Sequence, residues 1–192
     1  MIEALLLRAK HWQVFLLLTG LCVFAGMVGV GVMGANVSST GRAGTLGLLW
    51  GANTALGMLC FAGWFWSMGT FLISIVQPLL RLKTGFFRFS LIYPVLYSFA
   101  AGPFFLNPDA SMFAVIIPLH FFAVFCMFYS LRFVAKSLVL AETGKPVSFS
   151  DYAGPFFLIW FFPLGVWFIQ PRVNRLYAAR RNAEPRLQPT AP

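Results

Sequence analysis

The sequence predicts an all-α integral membrane protein of four transmembrane helices plus a C-terminal aromatic segment that re-enters the bilayer or lies at its interface, with five transmembrane helices as the alternative. Three observations carry that prediction. Hydrophobic residues make up 59% of the 192 and charged residues only 10%, which leaves too little polar surface to cover a soluble domain of this size. Four blocks free of Lys, Arg, Asp and Glu match or exceed the ~17–25 residues that a helix needs to cross a bilayer. The basic residues that give a formal charge of +9 sit in short runs between those blocks. That is the pattern of a cytoplasmic membrane face, and no folded basic domain is left to bind nucleic acid.

The first block covers residues 12–33 and closes at the polar, glycine-containing stretch 36–44. Arg8 and Lys10 precede it as they would in a secretory signal. The block is longer than the ~7–15 apolar residues of such a signal, and Met33-Gly34-Ala35 is a poor cleavage match, so it reads as a retained helix. The second block, 46–80, is longer than the membrane is thick at ~1.5 Å per residue. It reads as one tilted helix whose surplus projects into the cytosol around Gln77, Pro78, Arg81 and Lys83, because splitting it would move Arg81, Lys83 and Arg88 outside. The third block, 89–106, ends at the turn Asn107-Pro108-Asp109. The fourth starts at Ser111 and its apolar core ends at Leu131, after which good helix formers continue to Glu142 until Gly144 and Pro146 stop them.

Charge sets the orientation. With the N-terminus in the cytosol, Arg8, Lys10, Arg81, Lys83, Arg88, Arg132, Lys136 and Lys145 lie inside and Arg42 alone lies in an outer loop. Residues 153–171 test this arrangement, because Arg172, Arg175, Arg180, Arg181 and Arg186 follow them. A fifth span would put all five outside, whereas a re-entrant or interfacial segment keeps them in the cytosol. The segment also carries Pro155, Pro163-Leu164-Gly165 and Pro171, and a proline in a helix interior removes a hydrogen bond and clashes with the preceding turn. Two limbs, 154–162 and 165–170, are each too short to cross alone. The expected organisation is one transmembrane domain, residues 1–172, and a partly disordered basic cytosolic tail, 173–192. Residues 172–181 of that region could lie as a short basic helix on anionic lipid.

Candidate sites are few. His120 is the one ionisable residue near the middle of a span, and it follows Pro118. Haem or metal would need a further ligand at matched depth, and no other span offers His, Asp or Glu, so His120 reads as a neutral imidazole bonded to a carbonyl. Cys22, Cys60 and Cys126 lack paired spacing and read as small apolar residues. All five acids, Glu3, Asp109, Glu142, Asp151 and Glu184, lie in loops or at ends, which argues against an ion-coupled carrier. No Ser-His-Asp set, phosphate-cradling glycine loop or metal spacing is visible, so the chain reads as a non-enzyme without catalytic residues or cofactor.

Gly47, Gly51 and Ala55 form a small-residue row that lets helices approach closely, within the fold or in a dimer. Asn36-Val37-Ser38 matches a glycosylation acceptor and implies only an exposed loop. The hexapeptide at 101–106 recurs at 153–158, a coincidence in a chain with 23 Phe rather than a duplication. Trp160, Phe161, Phe162, Trp167 and Phe168 concentrate aromatic surface in the last block, which reads as an inner-leaflet anchor or a groove for a lipophilic ligand.

The stretch Phe149-Ser150-Asp151-Tyr152, continued by Phe157-Leu158-Ile159-Trp160-Phe161-Phe162-Pro163-Leu164-Gly165-Val166-Trp167-Phe168-Ile169-Gln170-Pro171-Arg172, resembles a C-terminal segment of uncharacterised bacterial integral membrane proteins. The resemblance implies the bacterial inner membrane and no activity. It also implies that Trp160, Pro163, Gly165, Trp167, Gln170, Pro171 and Arg172 belong to one structural device.

The resulting expectation is a multi-pass inner-membrane protein acting as a non-enzymatic accessory or assembly component. The alternative is a small transporter or a binder of quinone or lipid. The candidate ligand or partner surface comprises His120, Trp160, Pro163, Trp167, Gln170 and Arg172. The expected partners are a bilayer with anionic lipids and a membrane protein or a second copy of the chain.

Overall fold

The computed structural model describes residues 2–34, 40–106 and 110–187, with side chains described over most of 5–27 and throughout 51–101 and 111–183. Asn36-Val37-Ser38, the turn Asn107-Pro108-Asp109 and the last five residues lie outside the described residues. Among those described there are seven α-helices, two short 3-10 helices and no strand: α1 (Ile2–Arg8), α2 (His11–Gly34), α3 (Thr40–Ile75), α4 (Gly85–Leu106), α5 (Phe113–Thr143), α6 (Phe149–Trp160) and α7 (Phe162–Leu187). Two stretches, Gly51–Ile75 in α3 and Phe113–Thr143 in α5, are long and apolar enough to cross a membrane.

The helix boundaries follow from local chemistry. α3 stops at Ile75, short of the expected Leu80, because Pro78 pushes the residue before it out of the helical region and Gln77 is extended at ψ 141°. Pro78–Leu80 then forms a 3-10 turn. The Arg81 guanidinium folds back to donate to the carbonyls of Val76 (3.1 Å) and Ser74 (3.4 Å), filling acceptors that the end of α3 leaves open. α5 runs through Pro118 and ends where expected, at Gly144. That glycine takes φ +64°, and its N–H donates to the Leu140 carbonyl at 2.9 Å. α1 was not anticipated: its seven residues form a separate helix, and the chain restarts as α2 at His11.

The chain divides into two compact units. The first comprises residues 1–15, 64–84 and 131–192. Its core uses helical spacing on four helices: Trp64, Phe65, Met68 and Leu72 on α3, Val134 and Leu138 on α5, Tyr152, Pro155 and Ile159 on α6, and Val166, Ile169 and Val173 on α7. The second comprises residues 16–63 and 85–130. There α4 and α5 run antiparallel, as their aromatic pairs show: Phe86 meets Tyr129 (4.7 Å between ring centres), Tyr93 meets Phe122 (4.8 Å) and Tyr97 meets His120 (5.7 Å). A cavity of about 20 Å³, room for one water, lies among Met58, Phe61, Ser90, Pro94, Met127 and Ser130.

Most of the described large apolar side chains of the second unit are exposed, among them Leu56, Leu59, Ile92, Leu96, Phe99, Ile117, Phe121 and Phe125. Only 22% of the most apolar window of α5 is buried. A soluble core helix would be mostly enclosed at that hydropathy.

Candidate functional surface

The C-terminal segment is a helical corner in the first unit. The expected break at Pro163-Leu164-Gly165 falls slightly earlier, at Phe161, whose φ of −79° and ψ of 51° leave the helix. Pro163 then sits in the first turn of α7, where its missing N–H has no intrahelical partner to lose. The Phe161 carbonyl restarts the helix by accepting from the N–H groups of Leu164 and Gly165, both at 3.0 Å. Gly165 is where α7 crosses α6, and a Cβ built there would overlap the Leu158 carbonyl. Only glycine allows that approach.

Pro171 does not end the second limb. α7 continues through it to Leu187, giving up the bond that a residue-171 N–H would make to the Trp167 carbonyl. The region expected to be a tail from residue 173 is, up to Arg180, packed helix. Val173 is fully buried, Tyr177 meets Phe71 edge-on at 5.4 Å, and Arg180 donates to the Ser74 hydroxyl at 3.0 Å.

Gln170 is the polar centre of this unit and is 1% exposed. Its Oε1 accepts from the Trp64 indole N–H at 2.9 Å. Its Nε2 donates to the carbonyls of Leu6 (2.9 Å) and Ala9 (3.3 Å) and to Asn174 Oδ1 (3.1 Å). Asn174 Nδ2 adds a second bond to Ala9, at 3.1 Å. Leu6 and Ala9 lie at the end of α1, where carbonyls lack intrahelical partners, so two amide side chains of α7 complete a helix that is too short to stand alone. Arg172, two residues on, is paired with Glu142 near the end of α5. Its Nε reaches Oε1 at 2.8 Å, and Nη2 contacts Oε2 to close a two-pronged ion pair. Arg132 Nε donates to the Tyr152 hydroxyl at 3.1 Å, tying α5 to α6.

The opposite side of the corner is apolar and open. Phe157, Trp160, Phe161, Leu164, Trp167 and Phe168 are each 46–68% exposed. Phe157, Trp160 and Phe161 stack in sequence at about 6 Å, each ring within 16° of parallel to the next. The Trp167 ring rests on His11 (4.5 Å) and Phe15 (5.8 Å). At the start of α6 the Asp151 carboxylate accepts from the Ser148 hydroxyl (2.8 Å) and N–H (2.7 Å). Those two bonds hold its pKa below the ordinary carboxylate value.

The structure thus brings Trp160, Pro163, Trp167, Gln170 and Arg172 onto one corner, with Gln170 buried, Arg172 half-buried in its ion pair, and the rings and proline outside. His120 belongs to the second unit. It is exposed, and its Nδ1 lies 3.1 Å from the Tyr97 hydroxyl, so its partner is a phenol rather than the expected carbonyl. The sequence reading missed Trp64, Asn174 and Glu142 as partners of the corner, and Tyr97 as the partner of His120. The spacing of Tyr93 and Tyr97, four residues apart on one helix, was the available sign of the last. Among the described residues no group of three or more His, Cys, Asp or Glu side chains is placed to hold a metal ion.

No family model, curated protein or solved structure matches the chain.

Proposed function

We propose that this chain is a multi-pass protein of the bacterial inner membrane with its N-terminus in the cytosol, α2, α3, α4 and α5 as four spans, and α6 and the start of α7 lying in the inner leaflet. Its role is that of a non-enzymatic accessory component, which offers the aromatic corner to a membrane-protein partner among anionic lipids. One observation carries the reading: a continuous exposed aromatic surface stands on a buried, fully bonded amide. Gln170 fixes α7 against α1 and α3, while Trp160, Phe161, Leu164 and Phe168 face outward. An anchor that only needed grease would not need such a rigid base. The resemblance of residues 149–172 to a segment of uncharacterised bacterial membrane proteins agrees with this setting.

The test is a photo-crosslinking residue at Phe161 in the protein expressed in bacterial membranes. The reading expects one protein adduct of fixed mass that vanishes when Trp160 and Trp167 are both replaced by Ala. Adducts with lipid alone would overturn the partner role and leave the corner as an anchor.

A further inference from the structure

The lipid-facing side of the second unit carries a polar pair that the assembly role does not use. His120 is the eighth residue of α5, within a stretch of 19 residues, 113–131, that has no Lys, Arg, Asp or Glu. At ~1.5 Å per residue it lies roughly 10 Å along the helix from Phe113. Its side chain is exposed, and Nδ1 is shared with the Tyr97 hydroxyl at 3.1 Å. Nε2 has no hydrogen-bond partner among the described residues, and the chain neighbours of the pair, Leu96 and Phe99 on α4 and Leu119 and Phe121 on α5, are apolar and 42–69% exposed. Acyl chains cannot hydrogen-bond, so a ring nitrogen left open at that depth is costly unless something covers it.

Proton accounting defines the cover. The pair holds one imidazole proton and one phenol proton. When the Tyr97 O–H donates to Nδ1, Nε2 carries the imidazole proton and offers a donor. When Nδ1–H donates to the Tyr97 oxygen, Nε2 offers a lone pair and the phenol proton is free. The first state fits a ring carbonyl, and the second fits a ring hydroxyl. Tyr93 is already committed, donating to the Leu119 carbonyl at 3.2 Å, and its ring lies within 14° of parallel to that of Tyr97. We infer that the His120–Tyr97 pair is a binding site for an isoprenoid quinone or its quinol, with the ring oxygen on Nε2 and the tail along the exposed Leu and Phe side chains. Only binding is assigned, with no electron transfer. A second copy of the chain fits less well, because close helix approach favours small residues and the neighbours here are large. The inference rests on α4 and α5 being spans, and not on the aromatic corner.

The chain has two histidines, so ¹⁵N-histidine labelling gives two imidazoles to follow, assigned with His120→Leu. In phospholipid nanodiscs, decylubiquinone should shift the His120 nitrogens saturably and leave those of His11 unmoved. Saturable binding above that of protein-free discs should weaken about tenfold in His120→Leu, the loss expected for one hydrogen bond in hydrocarbon. Tyr97→Phe should weaken it too while leaving the protein folded. No saturable shift up to about one quinone per ten lipids would overturn the site. A His120 shift that follows the protein-to-lipid ratio instead of quinone would assign the face to a second copy and also overturn it. Broadening of His120 by a water-soluble gadolinium chelate would show that α5 is not a span at this depth, a failure distinct from the other two.

Discussion

Gln170 joins α1, α3 and α7 through one buried side chain. A leucine there would match its bulk and bury more apolar surface. It would also remove the acceptor that the Trp64 N–H uses and the donor that the Leu6 carbonyl uses, and a buried hydrogen bond stripped of one side costs about 1–3 kcal/mol. Gln170→Leu should therefore lose roughly 2–4 kcal/mol of stability, read as a lowered midpoint of unfolding in mild detergent. Ser148 and Asp151 give a pH-dependent counterpart at the surface. The carboxyl is held below its ordinary pKa, so its bonds support the start of α6 above the unfolded-state value and are lost as pH falls through the lowered folded value. Protection of the α6 N-terminal amides against hydrogen exchange should fall only below about pH 4. Ser148→Ala should return the Asp151 titration, followed by carboxyl ¹³C shift, toward the ordinary value.

At the scale of elements, the corner between α6 and α7 depends on Gly165. Gly165→Ala would place a methyl against the Leu158 carbonyl, which belongs to backbone and cannot rotate away. Overpacking of this kind costs about 1–3 kcal/mol. The variant should unfold earlier and lose the contact between α6 and α7, measured as a slower disulfide between cysteines placed at Leu158 and Gly165 neighbours on the two helices. The helices themselves were largely legible in the sequence, because charge-free blocks and breakers such as Gly144 act locally. What stayed hidden depends on distant partners. α1 has only seven residues and no strong pattern, and Leu6 is held by a side chain 164 positions away. Pro171 looked like a stop because its local cost is real. Val173, Asn174 and Tyr177 gain enough packing to carry α7 past it. The aromatic surface of the corner could be read from composition, but its base of Trp64 and Gln170 could not, since nothing links those positions in sequence.

For the whole molecule, the decisive question is on which side the chain ends. Four spans with an inner-leaflet corner put thirteen basic residues in the cytosol against one outside, whereas a fifth span leaves eight against six. A reporter active only in the cytosol, fused after Pro192, should be active, and one active only in the periplasm should be silent; the reverse result would make α6 and the start of α7 a fifth span.

The bond from Gln170 to Leu6 also sets an order of events. Ribosomes add about 5–20 residues per second, so the 164 positions between donor and acceptor take roughly 10–30 s to make. Throughout that interval the first helix has been synthesised but has no amide to complete it, and α1 lacks the α7 surface it packs against. Residues 2–8 are thus made long before the side chain that completes them and are among the last parts of the first unit to be finished. A nascent chain interrupted before residue 170 lacks the amide that completes the end of α1.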